Sequence, residues 1–204
     1  MIRLYRAPFS TNVERVALAL AHKGLPTESV WIDYADRTAV ERISGQGLVP
    51  VIEDAGTVVA DSRAILARLE ERYPDRPLYP RDRARRAEVE LFTDWFDRVW
   101  KVAPNALERE LATADPDEDR LAEGSAAMVT ALDRFEALLT GRKHLFGAFS
   151  AADCVAFPFL KYALGRAPGD DEAFHRVLDD HQRLTDRHAG LEGWIRRVDR
   201  RPRA

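Results

Sequence analysis

The chain has 204 residues, 46% hydrophobic and 32% charged, which is enough apolar material to bury a core in one large domain or two small ones. A net charge of −3 excludes an electrostatic grip on nucleic acid or an anionic bilayer, and no apolar run approaches the ~18 residues of a membrane span. The single cysteine, Cys154, excludes an intrachain disulfide; with a start that runs straight into a strand and no basic leader, it predicts a cytoplasmic protein.

Ile2–Tyr5 and Ser29–Ile32 are short and rich in β-branched or aromatic residues, and both read as strands. Between them Val13, Val16, Ala17, Leu20 and Ala21 recur at three and four residues, predicting a helix over Thr11–Lys23 that Gly24 stops. Strand, helix, strand in that order implies a parallel pair joined by a right-handed crossover. Val51-Ile52, a turn at Glu53–Gly56 and Thr57–Val59 then predict an antiparallel hairpin. Asp61 and Ser62 open a further helix with Ile65, Leu66, Leu69 and Tyr73 on its apolar side, ended by Pro74.

Past this point the pattern changes. Asp75–Arg86 carries Pro77, Pro80 and many charges, as a linker does, and beyond it no segment reads as a strand. Helices are predicted over Glu88–Leu111, Leu121–Leu139, Ala151–Leu164, Asp171–Asp180 and Thr185–Asp199. The basic run Arg196–Arg203 reads as a solvated helix end. The expected organisation is an α/β domain over residues 1–76, a linker over 77–84 and an all-α domain over 85–204. Ser150-x-x-Asp153 is a capping box, with Phe149 and Cys154 as its hydrophobic staple, and its work is folding.

Four short segments, in this order and at these separations, carry a resemblance: Ser10-Thr11-Asn12-Val13-Glu14-Arg15-Val16, Leu48-Val49-Pro50-Val51, Asp61-Ser62-Arg63-Ala64-Ile65 and Ser150-Ala151-Ala152-Asp153-Cys154. Together they resemble the glutathione S-transferases, and the Ser-Thr-x-x-x-Arg-Val arrangement is more similar to the serine-type Phi and Theta enzymes than to the tyrosine classes. The resemblance implies a thioredoxin-like N-terminal domain followed by an all-helical C-terminal domain. It also implies glutathione as cosubstrate, a small apolar electrophile as second substrate and a homodimer, with a role in detoxification.

Ser10 is the catalytic candidate. On position alone it is a helix cap; in the company of the other segments it is a hydroxyl donor to a docked thiol, at a helix end whose dipole favours the thiolate. The resemblance implies a cis Val49–Pro50 bond and pairing of the Val49 backbone with the cysteinyl part of glutathione. It places the γ-glutamyl carboxylate on Ser62 and the helix N-terminus, where unpaired N–H groups bind anions. Asp61 would pair with the ammonium, and Arg37 matches a position that contacts the glycyl carboxylate. The second substrate is expected between the domains, near Phe9 and Trp100.

Leu48 departs from the family pattern, which often has glutamine there. This leaves room for another low-molecular-weight thiol, or for a non-catalytic interaction or ligand-carrying protein with the same fold. Ala7 stands where omega-like relatives place a nucleophilic cysteine, so thiol-disulfide exchange through the protein is disfavoured. The five histidines show no metal-ligand spacing, so no metal is expected.

Overall fold

The computed structural model describes residues 1–204, which divide into one unit of Met1–Arg81 with Arg201–Ala204 and a second of Asp82–Arg200. In the first unit four strands form a sheet of order β2-β1-β3-β4: β1 is Ile2–Arg6, β2 Thr27–Trp31, β3 Val51–Asp54 and β4 Thr57–Ala60. β2 runs parallel to β1, through α1 (Thr11–Lys23), while β3 is antiparallel to both β1 and β4. The register pairs Tyr5 with Val51 and Val51 with Ala60. Side chains alternate across a strand. Tyr5 and Val51 therefore lie on one face, where they pack with Ile32 and Val40, and Leu4 and Ile52 lie on the other, both fully buried.

Val40 comes from α2 (Thr38–Ser44), a helix the hydrophobic pattern does not announce because Val40 is its only buried residue. α3 (Ser62–Arg72) packs on α1, and Lys23 at the end of α1 donates to Glu70 Oε2 (2.8 Å) and to the Tyr73 carbonyl (2.7 Å).

The second unit is helical throughout, with no strand. The stretch expected as one helix over Glu88–Leu111 is instead α4 (Arg83–Trp95), a π-helical turn at Phe96–Trp100 and α5 (Val102–Leu111). The wider turn lets Phe96 and Trp100 stack, with ring centroids 4.4 Å apart, while Phe135 meets both at an angle and Phe92 meets Phe96. α6 (Glu118–Leu139) buries Met128, Ala131, Leu132, Phe135 and Leu139. α7 (Ala151–Leu160) is buried along its whole length and runs into a 3₁₀ turn, Lys161–Leu164. α8 (Ala173–His181), a 3₁₀ turn at Asp186–His188 and α9 (Ala189–Asp199) follow.

Asp153, with no solvent exposure, organises this unit. Its carboxylate accepts from the backbone N–H groups of Ser150 (2.9 Å) and Leu145 (3.2 Å) and from Trp194 Nε1 on α9 (2.8 Å). Phe149 and Cys154 are buried beside it, as a staple requires. A second buried carboxylate, Asp170, accepts from Tyr162 (2.9 Å) and lies 2.7 Å from His175 Nδ1. Burial pushes the Asp170 carboxyl up, but the hydrogen bonds from His175 and Tyr162 outweigh it and hold the group below its ordinary value.

Asp153→Ala leaves three buried N–H donors without an acceptor and should destabilise the second unit by about 3–5 kcal/mol, read as a lower midpoint in denaturant unfolding; a loss under about 1 kcal/mol would contradict this role. Asp170 stabilises the fold above the ordinary carboxylate range and loses that effect as pH falls through its depressed value. Tyr162→Phe should thus cost about 1–2 kcal/mol near neutrality. The gap to the wild type should narrow in thermal unfolding below pH 3.8, the ordinary value for aspartate; a gap that stayed constant down to acid pH would refute the coupling.

Candidate functional site

The register of the sheet brings the candidate segments together. β1 ends at Arg6, β3 begins at Val51 opposite Tyr5, and β4 ends at Ala60 opposite Val51. The loop Ala7–Ser10, the Val49–Pro50 pair and Asp61-Ser62 therefore emerge at one end of the sheet. Val49–Pro50 is cis, as the resemblance implies. No hydrogen bond from the chain uses the Val49 N–H or C=O, so this strand edge is open to an extended ligand.

Ser10 is the N-cap of α1, its Oγ accepting from the Val13 N–H at 3.3 Å. Accepting occupies a lone pair and leaves the hydroxyl proton available for donation. The cap and the donor roles are thus compatible on one atom. Ser10 is half-buried, and Phe9 before it has a φ of 57° and is 39% exposed.

Asp61 caps α3: Oδ1 accepts from the N–H groups of Arg63 (2.9 Å) and Ala64 (3.0 Å), at a backbone φ of 74°. A non-glycine residue in that region stores about 1–3 kcal/mol of strain. With Ile65 N–H bonded to the Asp61 carbonyl, the N–H of Ser62 is the one in the first turn left for a ligand. Ser62 is buried, and its Oγ accepts from Arg15 Nη1 at 3.3 Å.

Arg15, on α1, is only 1% exposed. Helical spacing sets it opposite the Val13, Val16, Ala17 and Leu20 stripe, so the sequence pattern reads it as solvated, and it is buried because α1 is covered on most sides. Its guanidinium places positive charge under the N-terminus of α3, adding to the dipole there.

Arg37 donates through Nη1 to the Gly47 carbonyl (3.0 Å) and through Nε to Tyr34 O (3.3 Å), tying α2 to the loop before Val49. Tyr34 in turn reaches Pro8 O (3.2 Å). Leu48 is 69% exposed. Its backbone N–H and C=O are both taken by the Gln46 side chain, at 2.6 and 2.9 Å, so a glutamine two residues upstream occupies the polar groups that flank the open edge. Of the two residues expected against the second substrate, Phe9 is accessible, whereas Trp100 is 5% exposed and packed on Phe96 in the aromatic core of the second unit.

An α/β unit with this sheet order, a cis-proline edge and two helix N-termini beside it has a thioredoxin-like architecture. Comparison with known proteins agrees: residues 4–77 match the glutathione S-transferase N-terminal domain. A glutathione S-transferase structure from Rhodospirillum rubrum is 30% identical, covering 94% of this chain and 91% of its own, with a TM-score of 0.68. FtsZ-localized protein A of Caulobacter vibrioides is 31% identical over 170 residues, 77% of this chain and 75% of that protein. Glutathione S-transferase F10 of Arabidopsis thaliana is 27% identical over 179 residues, 81% of this chain and 82% of that one. The chain belongs to the glutathione S-transferase family.

Ser62→Ala removes one acceptor of a buried guanidinium and should cost about 1–2 kcal/mol in denaturant unfolding. A variant as stable as the wild type would show that the Arg15–Ser62 bond is incidental.

Proposed function

We propose that the first unit binds glutathione, or a closely related low-molecular-weight thiol, and that Ser10 holds its sulfur as the thiolate for attack on a small apolar electrophile. The observation that carries this reading is the meeting of three ligand-ready features at one sheet end: the open Val49 edge, the Ser10 hydroxyl on the α1 N-terminus, and the Ser62 N–H on the α3 N-terminus. In this arrangement the Val49 backbone pairs with the cysteinyl residue. Ser62 and the α3 N-terminus take the γ-glutamyl carboxylate, with Arg15 behind them. Asp61 Oδ2, which caps nothing, faces the ammonium, and Arg37 offers its remaining guanidinium N–H groups to the glycyl carboxylate.

The energetics suffice. A free thiol has a pKa of about 8.5, and lowering it by about two units takes roughly 2.7 kcal/mol. A hydrogen bond to a charged group supplies about 1.5–3 kcal/mol and a helix N-terminus about 0.3–1 kcal/mol. Ser10 therefore need not act as a base. The thiol proton leaves to solvent, the sulfur lone pair forms the new bond to carbon, and the electrophile expels its leaving group or takes up a proton. Proximity adds to the rate once both reactants are held. The same reading makes the protein a serine-type, Phi/Theta-like transferase, a cytoplasmic homodimer with a detoxifying role, with neither nucleic acid nor membrane as partner.

A second reading has its own support: a non-catalytic interaction protein on this fold. The polar groups around Leu48 are closed by Gln46, and a relative of comparable length is named for localisation with FtsZ. Glutathione on an affinity matrix separates the two readings, since an interaction protein with a closed pocket flows through.

Ser10→Ala should lower kcat by about 10–100-fold, with calorimetric affinity for glutathione within about threefold of the wild type. Unchanged turnover would remove Ser10 from the chemistry, and no heat of binding with glutathione or other cellular thiols would remove the enzyme reading.

A further inference from the structure

The loop that carries Ser10 is held from outside its own element. Arg6, the residue before the loop, donates through Nη1 to the Ala204 carbonyl at 2.6 Å and to Ser29 Oγ at 3.2 Å. Glu14, in the first turn after the loop, accepts at Oε1 from Arg203 Nε (3.1 Å) and Nη2 (2.8 Å). Arg203 Nη1 also donates to the Arg201 carbonyl (2.6 Å), which curls the segment on itself. The Ala204 N–H reaches the Ala17 carbonyl on α1 (3.1 Å), and Arg201 Nη2 meets His22 Nδ1 (3.0 Å). Arg201–Ala204 thus touches α1 along its length and grips both flanks of the loop.

These contacts have more weight than surface ion pairs, which contribute little. The Arg203 and Glu14 side chains are only 22% and 15% exposed. The loop also contains Phe9 at φ 57°, a strained conformation that persists only where the surroundings over-determine it. Ser10 follows directly, so the direction of its hydroxyl depends on that backbone staying in place.

We propose that Arg201–Ala204 is a clamp on the Ser10 loop and that Arg203 is a positioning residue for the Ser10 hydroxyl. The link to Ser10 chemistry rests on the function proposed above; the clamp itself does not.

Amide hydrogen exchange of the ligand-free protein, followed by steady-state kinetics with glutathione, tests both parts. Arg203→Ala should speed exchange at the Val13 and Glu14 amides by about tenfold while amides in the middle of α3 stay within about twofold. Arg203→Lys should restore most of the protection, and Glu14→Gln, which weakens the same pair from the helix side, should reproduce the local loosening. In kinetics, Arg203→Ala should lower kcat about fivefold with KM for glutathione within about twofold. Unaltered exchange at Val13 and Glu14, or an equal rise in α1 and α3, would overturn the clamp. Local loosening in a protein that binds no glutathione would keep the clamp and remove the function proposed for the site; local loosening with kcat unchanged would sink the positioning role of Arg203.

Discussion

The antiparallel pairing of β1 with β3 is the constraint on which the site depends. Because Tyr5 faces Val51 and Val51 faces Ala60, the end of β1, the start of β3 and the end of β4 all reach the same edge of the sheet. A shift of one residue in that register would turn Tyr5 and Val51 away from Val40 and Ile32. The packing of a small apolar cluster therefore also decides that a hydroxyl, an open strand edge and a helix N-terminus stand together. Site and core are two readings of one alignment.

Electrostatics at that edge sets positive helix ends beside the Asp61 carboxylate. α1 and α3 both begin there, each presenting a partly positive end. Arg15 adds a full charge beneath Ser62, in surroundings where screening is weak. A carboxylate or an ionised sulfur matches the helix ends, and an ammonium group matches Asp61. The strained backbone of Phe9 and Asp61 falls at the same edge and aims the two helix starts.

Much of this was legible in the residues. Gly24, Pro74 and the Asp61-Ser62 opening bounded α1 and α3 because stop signals and caps are local chemistry. Ser150 and Asp153 disclosed their capping box for the same reason. α2 stayed hidden, since one buried valine in seven residues makes no periodic pattern. The π-helical turn at Phe96–Trp100 was equally invisible: a single extra residue in one turn leaves the apolar spacing on either side intact. The basic run ending at Arg203 reads as solvated because charge alone does not disclose a partner. Glu14 lies 189 positions away, and only the folded chain brings them together. Arg37, Asp61 and Ser62 could be named from motif position, but not the bonds they already make within the chain.

The burial of Cys154 has a chemical consequence. It is the only sulfhydryl in the chain, and it sits in α7 with no exposed surface. A reactive alkylating molecule arriving at this protein meets no accessible cysteine to modify. This burial also makes the folded surface a background on which one introduced cysteine would be the sole accessible thiol.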